Sequence, residues 1–264
     1  MKEILQNIIR INSGVSNQHE QKSCPICNGT GWIYFEDSNG RDAARECECM
    51  KKRKFEISGV PYIYREARLS NFLSSVYSPQ GAAIIHQVAS AVKYWLSEIE
   101  QMSNEGIGLY MYSATKGSGK TRLAASITNE LIENGISVKF TTGSMILQNI
   151  KKSWDKKNEG FTESGIIDNL INTQVLVIDD FGIEDERQWI NERFYNLING
   201  RYEGKKITIF TSNYRINDLR CDDRIISRIR EKTLEIPFPE ESVRDRIARK
   251  HTYDMKSHMV TSNN

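Results

Sequence analysis

SATKGSGKT, Ser113 to Thr121, ends in Gly-Lys-Thr, as a phosphate-binding loop of the form G-x-x-x-x-G-K-[ST] does. Ala114 stands where such a loop has its first glycine. The apolar run GIGLYMYS precedes the loop, and RLAASITNELIENG follows it as a helix that ends at Gly135. Strand, loop and helix in that order turn a glycine-lysine sequence into a phosphate cradle. Gly117 and Gly119 let backbone N–H groups converge on a phosphate, and the helix N-terminus adds the positive end of its dipole. Ala114, Thr115, Lys116, Gly117, Ser118, Gly119, Lys120, Thr121 and Arg122 are therefore the candidate nucleotide-binding residues. Lys120 would reach the β- and γ-phosphates and Thr121 would hold magnesium. The alanine costs little at negative φ, and a left-handed conformation there would cost ~1–2 kcal/mol.

Further strands are expected to converge on the same place. ISVKFTT follows the loop helix, and TQVLVIDDFG supplies Val175 to Ile178 as a buried parallel strand ending in Asp179 and Asp180. Acids at the carboxyl end of such a strand lie beside the ligand in an open α/β sheet. Asp179 is expected to hold the magnesium shell, and Asp180 to orient or deprotonate an attacking water. KITIFTSN, Lys206 to Asn213, is a third strand with Asn213 at its polar tip. Upstream, Gln80 to Glu100 carries apolar residues at helical spacing.

The chain has 264 residues and a formal net charge of +2, so charge alone does not announce a nucleic-acid binder. No apolar run approaches the ~20 residues that span a bilayer. Nothing at the N-terminus resembles a signal peptide, and a cytoplasmic protein without membrane partners is expected.

Four of the five cysteines cluster early, as Cys24, Cys27, Cys47 and Cys49. C-x2-C followed after about twenty residues by C-x-C is close to zinc spacing. A segment this short has too little apolar area to fold alone, so a bound metal would supply the missing stability. Two disulfides or four free thiols are the alternatives, and disulfides do not suit a protein that stays in the cytoplasm. The expected organisation is residues 1–56 as an N-terminal helix plus zinc module, and 57–264 as the ATPase domain. In the first of these, Ile4, Leu5, Ile8, Ile9 and Ile11 form one helical stripe. That stripe could pack on its own domain or serve as a docking surface.

SATKGSGKT, VLVIDDFGIE, YNLINGRYEGKKITIFTSN and DRIISRI together resemble an AAA+ ATPase. Their order is most similar to the bacterial replicative-helicase loaders of the DnaC/DnaI type, over roughly Val60 to His251. CPICNGTGWI…CEC is similar to the zinc module that many such loaders carry. The resemblance implies an α/β AAA+ P-loop domain, a parallel sheet flanked by helices, behind a small zinc domain with four cysteine ligands. It implies ATP, Mg2+ and Zn2+ as cofactors, slow ATP hydrolysis, self-association and a hexameric replicative helicase as partner. Asn213 matches the sensor asparagine of the family, and Arg244 the arginine that contacts nucleotide in cis. Arg228, with Arg224 as rival, matches the arginine supplied to a neighbouring subunit's ATP. Two features depart from the wider family: Ala114, and an aspartate at position 180 where glutamate is commoner.

SMILQNIKKSWDKKNEGF places Lys151, Lys152, Lys156 and Lys157 beside Trp154 and Phe161. Lysines track phosphates and aromatic rings stack on unpaired bases, and in the resembling loaders this region contacts single-stranded DNA. A solvated basic helix face with Trp154 folded inward is the other reading. Insertion-sequence transposition helper ATPases (IstB-like) share the core but usually lack the zinc module. They are the rival function, and an adaptor that binds ATP without useful turnover is a third.

Overall fold

The computed structural model describes residues 24–38, 40–154, 162–182, 187–249 and 252–253. The apolar stripe from Ile4 to Ile11 and residues Lys156, Lys157 and Phe161 lie outside them. Two compact units divide between Met50 and Lys51. The division falls inside helix α1 (Glu48–Ser58), the element in which the sequence reading also places its boundary.

The first unit is a hairpin of β1 (Trp32–Glu36) and β2 (Asp42–Glu46), with Trp32 opposite Glu46 and Glu36 opposite Asp42. Asp37 Oδ1 accepts the Arg41 N–H at 2.9 Å and closes the turn. One cysteine pair precedes β1 and the other follows β2, so antiparallel pairing alone brings the two pairs to the same end.

The second unit begins with α2 (Pro79–Ser97), where Pro79 occupies the first helical turn and Ser78 Oγ accepts the Gly81 N–H at 3.0 Å. Ile85, Val88, Val92 and Trp95 form its buried stripe. The sequence reading runs this helix on to Glu100; it stops at Ser97 with Glu98 as its cap, and a short α3 (Ile99–Glu105) follows, ended by left-handed Gly106. Then come β3 (Gly108–Tyr112), α4 (Lys120–Glu133), β4 (Val138–Thr142), α5 (Gly143–Ser153) and α6 (Glu163–Asn172). The unit continues with β5 (Val175–Phe181), α7 (Gln188–Glu203), β6 (Ile207–Ser212), α8 (Asp223–Lys232) and β7 (Thr233–Pro237). Residues 243–249 are helical.

The five strands make one parallel sheet in the order β4-β5-β6-β3-β7. Both faces are covered, by one apolar cluster around Trp95, Leu123 and Ile127 and another around Phe194, Leu197 and Ile225. Double burial explains why β3, β5 and β6 read as continuous apolar runs. The first strand, β3, lies inside the sheet. Its crossover through α4 goes to one edge, while β6 returns through α8 to the other side of β3. Such a switch point opens a crevice at the carboxyl ends of the strands. The expected α/β P-loop architecture is borne out.

A cation sits in the core. Arg201 is 1% exposed and donates to the carbonyls of Leu170, Ile171, Thr173 and Ile207 and to the Thr208 hydroxyl. The last carbonyls of α6 are the negative end of that helix, so the guanidinium caps α6 and ties it to β6. Burial pushes its pKa down to about 9.

Candidate nucleotide site and metal centre

The crevice holds a cavity of about 430 Å³ lined by the phosphate loop from Lys116 to Arg122, together with Asp180, Asn213, Val243 and Arg244. Ile63, Tyr64 and Ile247 complete it with apolar surface. Four separate chain segments thus deliver the residues singled out in the sequence to one place.

The loop has the backbone a phosphate cradle needs. Gly117 and Gly119 have φ of 79° and 104°, where a side chain would be strained. Ala114 is not among the left-handed residues, so losing the first glycine costs no backbone strain. Among the described residues, the N–H groups of Gly117, Ser118 and Gly119 donate no hydrogen bond within the chain. They line the cavity just before the N-terminus of α4, a site suited to an anion. Lys120 is only 5% exposed. Its Nζ donates to Ser113 O at 3.1 Å, Thr115 O at 3.2 Å and Ser118 Oγ at 3.2 Å. Burial pushes its pKa down against the pull of Asp180, Glu240 and Asp179.

The two acids of β5 differ in environment. Asp179 is buried, and its Oδ1 accepts the Thr211 hydroxyl at 2.6 Å. Burial raises its pKa, opposed by hydrogen bonds from Thr211 and Thr121 and assisted by the charge of Asp180. A buried carboxylate against the Thr121 hydroxyl is a pair of hard oxygen donors that fits Mg2+. Asp180 lines the cavity instead. The β5–β6 pairing shifts register between Ile178 and Phe181, and Asp180 takes φ of 53° with its N–H on Thr211 Oγ1 at 2.9 Å. A left-handed aspartate costs ~1–2 kcal/mol, and this bulge is what turns the second acid towards the crevice.

The family described as "IstB-like ATP binding protein" matches residues 108–249, from β3 through the C-terminal helix. This chain belongs to that IstB-like family of ATP-binding proteins. The protein named "Replicative helicase loader DnaC" of Buchnera aphidicola subsp. Baizongia pistaciae is 28% identical over 207 residues, 77% of this chain and 80% of its own. The Escherichia coli K12 protein of that name is 26% identical over 210 residues, 78% of this chain and 81% of its own. The crystal structure of DnaI superposes with a TM-score of 0.57 at 24% identity, over 69% of this chain and 95% of that one. The likeness to helicase loaders is thus borne out, as is the AAA+ fold.

In this IstB-like chain the Sγ atoms of Cys24, Cys27, Cys47 and Cys49 all lie within 4.8 Å of one another. Cys24 and Cys47 are 3.8 Å apart and Cys27 and Cys49 3.4 Å, and none is in a disulfide. Tetrahedral zinc with Zn–S bonds of about 2.3 Å separates its sulfurs by about 3.8 Å, so the cluster fits such an ion. Asn28, Gly29 and Gly31 take φ of 49°, 83° and 80°, which folds the first turn beneath the sulfurs. The Gly31 N–H donates to Cys27 Sγ at 3.4 Å.

The other candidates lie elsewhere. Arg224 and Arg228 are on α8 and do not line the nucleotide cavity. Arg224 pairs with Asp222 at 2.8 Å and stacks on Tyr195. Arg228 donates to Asn199 Oδ1 at 2.7 Å and lies over Tyr195 and Tyr202. Lys151, Lys152 and Trp154 end α5. Trp154 is 53% exposed, so it does not fold inward. Its Nε1 donates to Glu163 Oε2 at 2.8 Å, and its ring meets Trp189 edge-on at 5.6 Å, with Lys151 Nζ 5.5 Å over that second ring.

Two residues at the site escape the sequence reading. Thr211 sits on β6 and holds both acids of β5. Glu240, beyond β7, reaches the start of the phosphate loop: its carboxylate accepts the N–H groups of Ala114 and Thr115 at 3.0 and 2.8 Å and the Ser113 hydroxyl at 3.0 Å.

Proposed function

We propose that this chain is an ATP-dependent loader of a hexameric replicative DNA helicase, active in replication initiation. The observation that carries the reading is the convergence of the phosphate loop, Asp180, Asn213 and Arg244 on one cavity. The helicase partner is supported by likeness to proteins named replicative helicase loaders over about three quarters of the chain.

The loop N–H groups bind the phosphates of ATP. Lys120 leaves the carbonyls of Ser113 and Thr115 for the β- and γ-phosphate oxygens. Thr121 Oγ1 and Asp179 would hold Mg2+, which would supply positive charge to offset that of the phosphates. Asp180 accepts a proton as water oxygen bonds to the γ-phosphorus, and the bond to the β-phosphate oxygen breaks to give ADP and phosphate. Asn213 orients that water, and Arg244 steadies the γ-phosphate in cis. Arg228 acts on the neighbouring protomer's ATP, so turnover requires self-association. The short aspartate at position 180 makes turnover slow. The zinc-bound hairpin and the residues before it grip the helicase, and the end of α5 contacts single-stranded DNA.

The full chain mixed with a purified hexameric replicative helicase in Mg-ATP should elute as one complex in size-exclusion chromatography. Separate elution would reject the loader. Turnover stimulated by duplex DNA without helicase binding would favour the transposition helper, which shares the nucleotide site.

A further inference from the structure

Beyond β7, the chain is built onto the phosphate loop. The Val243 N–H donates to Gly117 O at 3.0 Å. A Cβ on Gly117 would sit 3.0 Å from Ser242 Oγ and 3.1 Å from Arg244 Cβ. Glu240 anchors this strap with three hydrogen bonds to the turn from Ser113 to Thr115. The two sides of that turn are shared. The Ala114 and Thr115 N–H groups and the Ser113 hydroxyl point to the Glu240 carboxylate, and the Ser113 and Thr115 carbonyls hold the Lys120 ammonium.

We infer that Glu240 is a positioning residue for ATP: it fixes the turn at the start of the phosphate loop and thereby sets where Lys120 waits for phosphate. The inference rests on the ATP-binding reading of the cavity. Both carboxylate oxygens are needed, since one accepts from Ala114 and the other from Thr115 and Ser113. Bonds from N–H and O–H donors to an ionised carboxylate are among the stronger ones. Burial alone would raise the Glu240 pKa; the donors from Ala114, Thr115 and Ser113 outweigh it and hold the carboxyl below its usual range. The bonded N–H groups precede those of Gly117 to Gly119 that face the cavity, so Glu240 does not compete with phosphate. It fixes the loop from outside.

The neighbouring acid provides the control. Glu241 accepts from Ser78 N and Ser78 Oγ and pairs with Arg246 at 2.9 Å. It therefore ties the strap to the start of α2 and not to the loop turn. Glu240→Gln places an amide NH2 against an N–H donor and should lose one side of the grip.

The test is ATP binding to the full chain by calorimetry in Mg2+, with the ligand-free thermal midpoint measured alongside. Glu240→Gln should bind ATP about tenfold more weakly in a chain that still unfolds cooperatively above the assay temperature, and Glu240→Asp should recover part of the loss. Glu241→Gln should bind as wild type does. Wild-type affinity in Glu240→Gln overturns the inference. So does an equal loss in Glu241→Gln, since that means the strap is only structural. Failure of the wild-type chain to bind ATP would instead defeat the ATP-binding reading itself.

Discussion

Thr211 donates its hydroxyl proton to Asp179 Oδ1 at 2.6 Å, and its own Oγ1 accepts the Asp180 N–H at 2.9 Å. One buried side chain on β6 thus sets both acids of β5, satisfying the carboxylate of the first and fixing the left-handed backbone of the second. Thr211→Val keeps the shape and removes both bonds. Depriving a buried carboxylate of one of its donors costs about 1–3 kcal/mol. Denaturant unfolding should show a loss of that size, with ATP turnover at least tenfold lower. Thr211→Ser should stay near wild type in both measurements. Normal turnover in Thr211→Val would mean the bulge at Asp180 does not depend on this hydroxyl.

The cysteine cluster predicts about one zinc per chain by elemental analysis. Cys47→Ser removes a buried ligand and should release the ion. Limited proteolysis should then cut the N-terminal unit while the unit from Lys51 onwards survives. Metal-free wild-type protein with a protease-resistant N-terminal unit would remove zinc from the account.

Arg228 predicts communication between protomers. Held by Asn199 and stacked on Tyr195 and Tyr202, it does not line its own nucleotide cavity. Arg228→Ala should bind ATP normally and hydrolyse it poorly, because a trans arginine can be worth ~10³-fold or more in rate. Mixing Arg228→Ala with Lys120→Ala chains should restore turnover, since one keeps a sound loop and the other a sound arginine. A mixture that assembles and stays inactive would leave Arg228 as a stacked surface arginine.

What the sequence discloses here follows from how local each feature is. The phosphate loop, the acid pair late in β5 and the two close-spaced cysteine pairs are local motifs that can be read along the chain. The start of α2 is announced by Ser78 and Pro79, whereas its end at Ser97 has no breaker residue to mark it. Thr211 reads as an ordinary strand former; its importance depends on the β5–β6 register and a bulge. Glu240 is 126 residues from Ala114, and one of two adjacent glutamates after a proline carries no local sign of what it grips. Arg201 is misleading in the opposite sense, because a charged residue late in an amphipathic helix reads as solvated. Its partners are carbonyls at the end of α6, visible only once α6, α7 and β6 are packed. β7 presents one buried residue, Ile236, among exposed ones, too weak an alternation to stand out.

Helicase loading itself is the most direct test. Purified hexameric helicase, circular single-stranded DNA, Mg-ATP and this chain are combined, and the helicase recovered on the circle is counted after gel filtration. Wild type should raise loaded helicase at least tenfold over helicase alone. Lys120→Ala should not, having lost the buried ammonium of the phosphate loop. Asp180→Asn should bind ATP and the helicase but not turn ATP over. Loaded helicase that is the same with wild type, with Lys120→Ala and with no added chain would contradict an ATP-dependent loader.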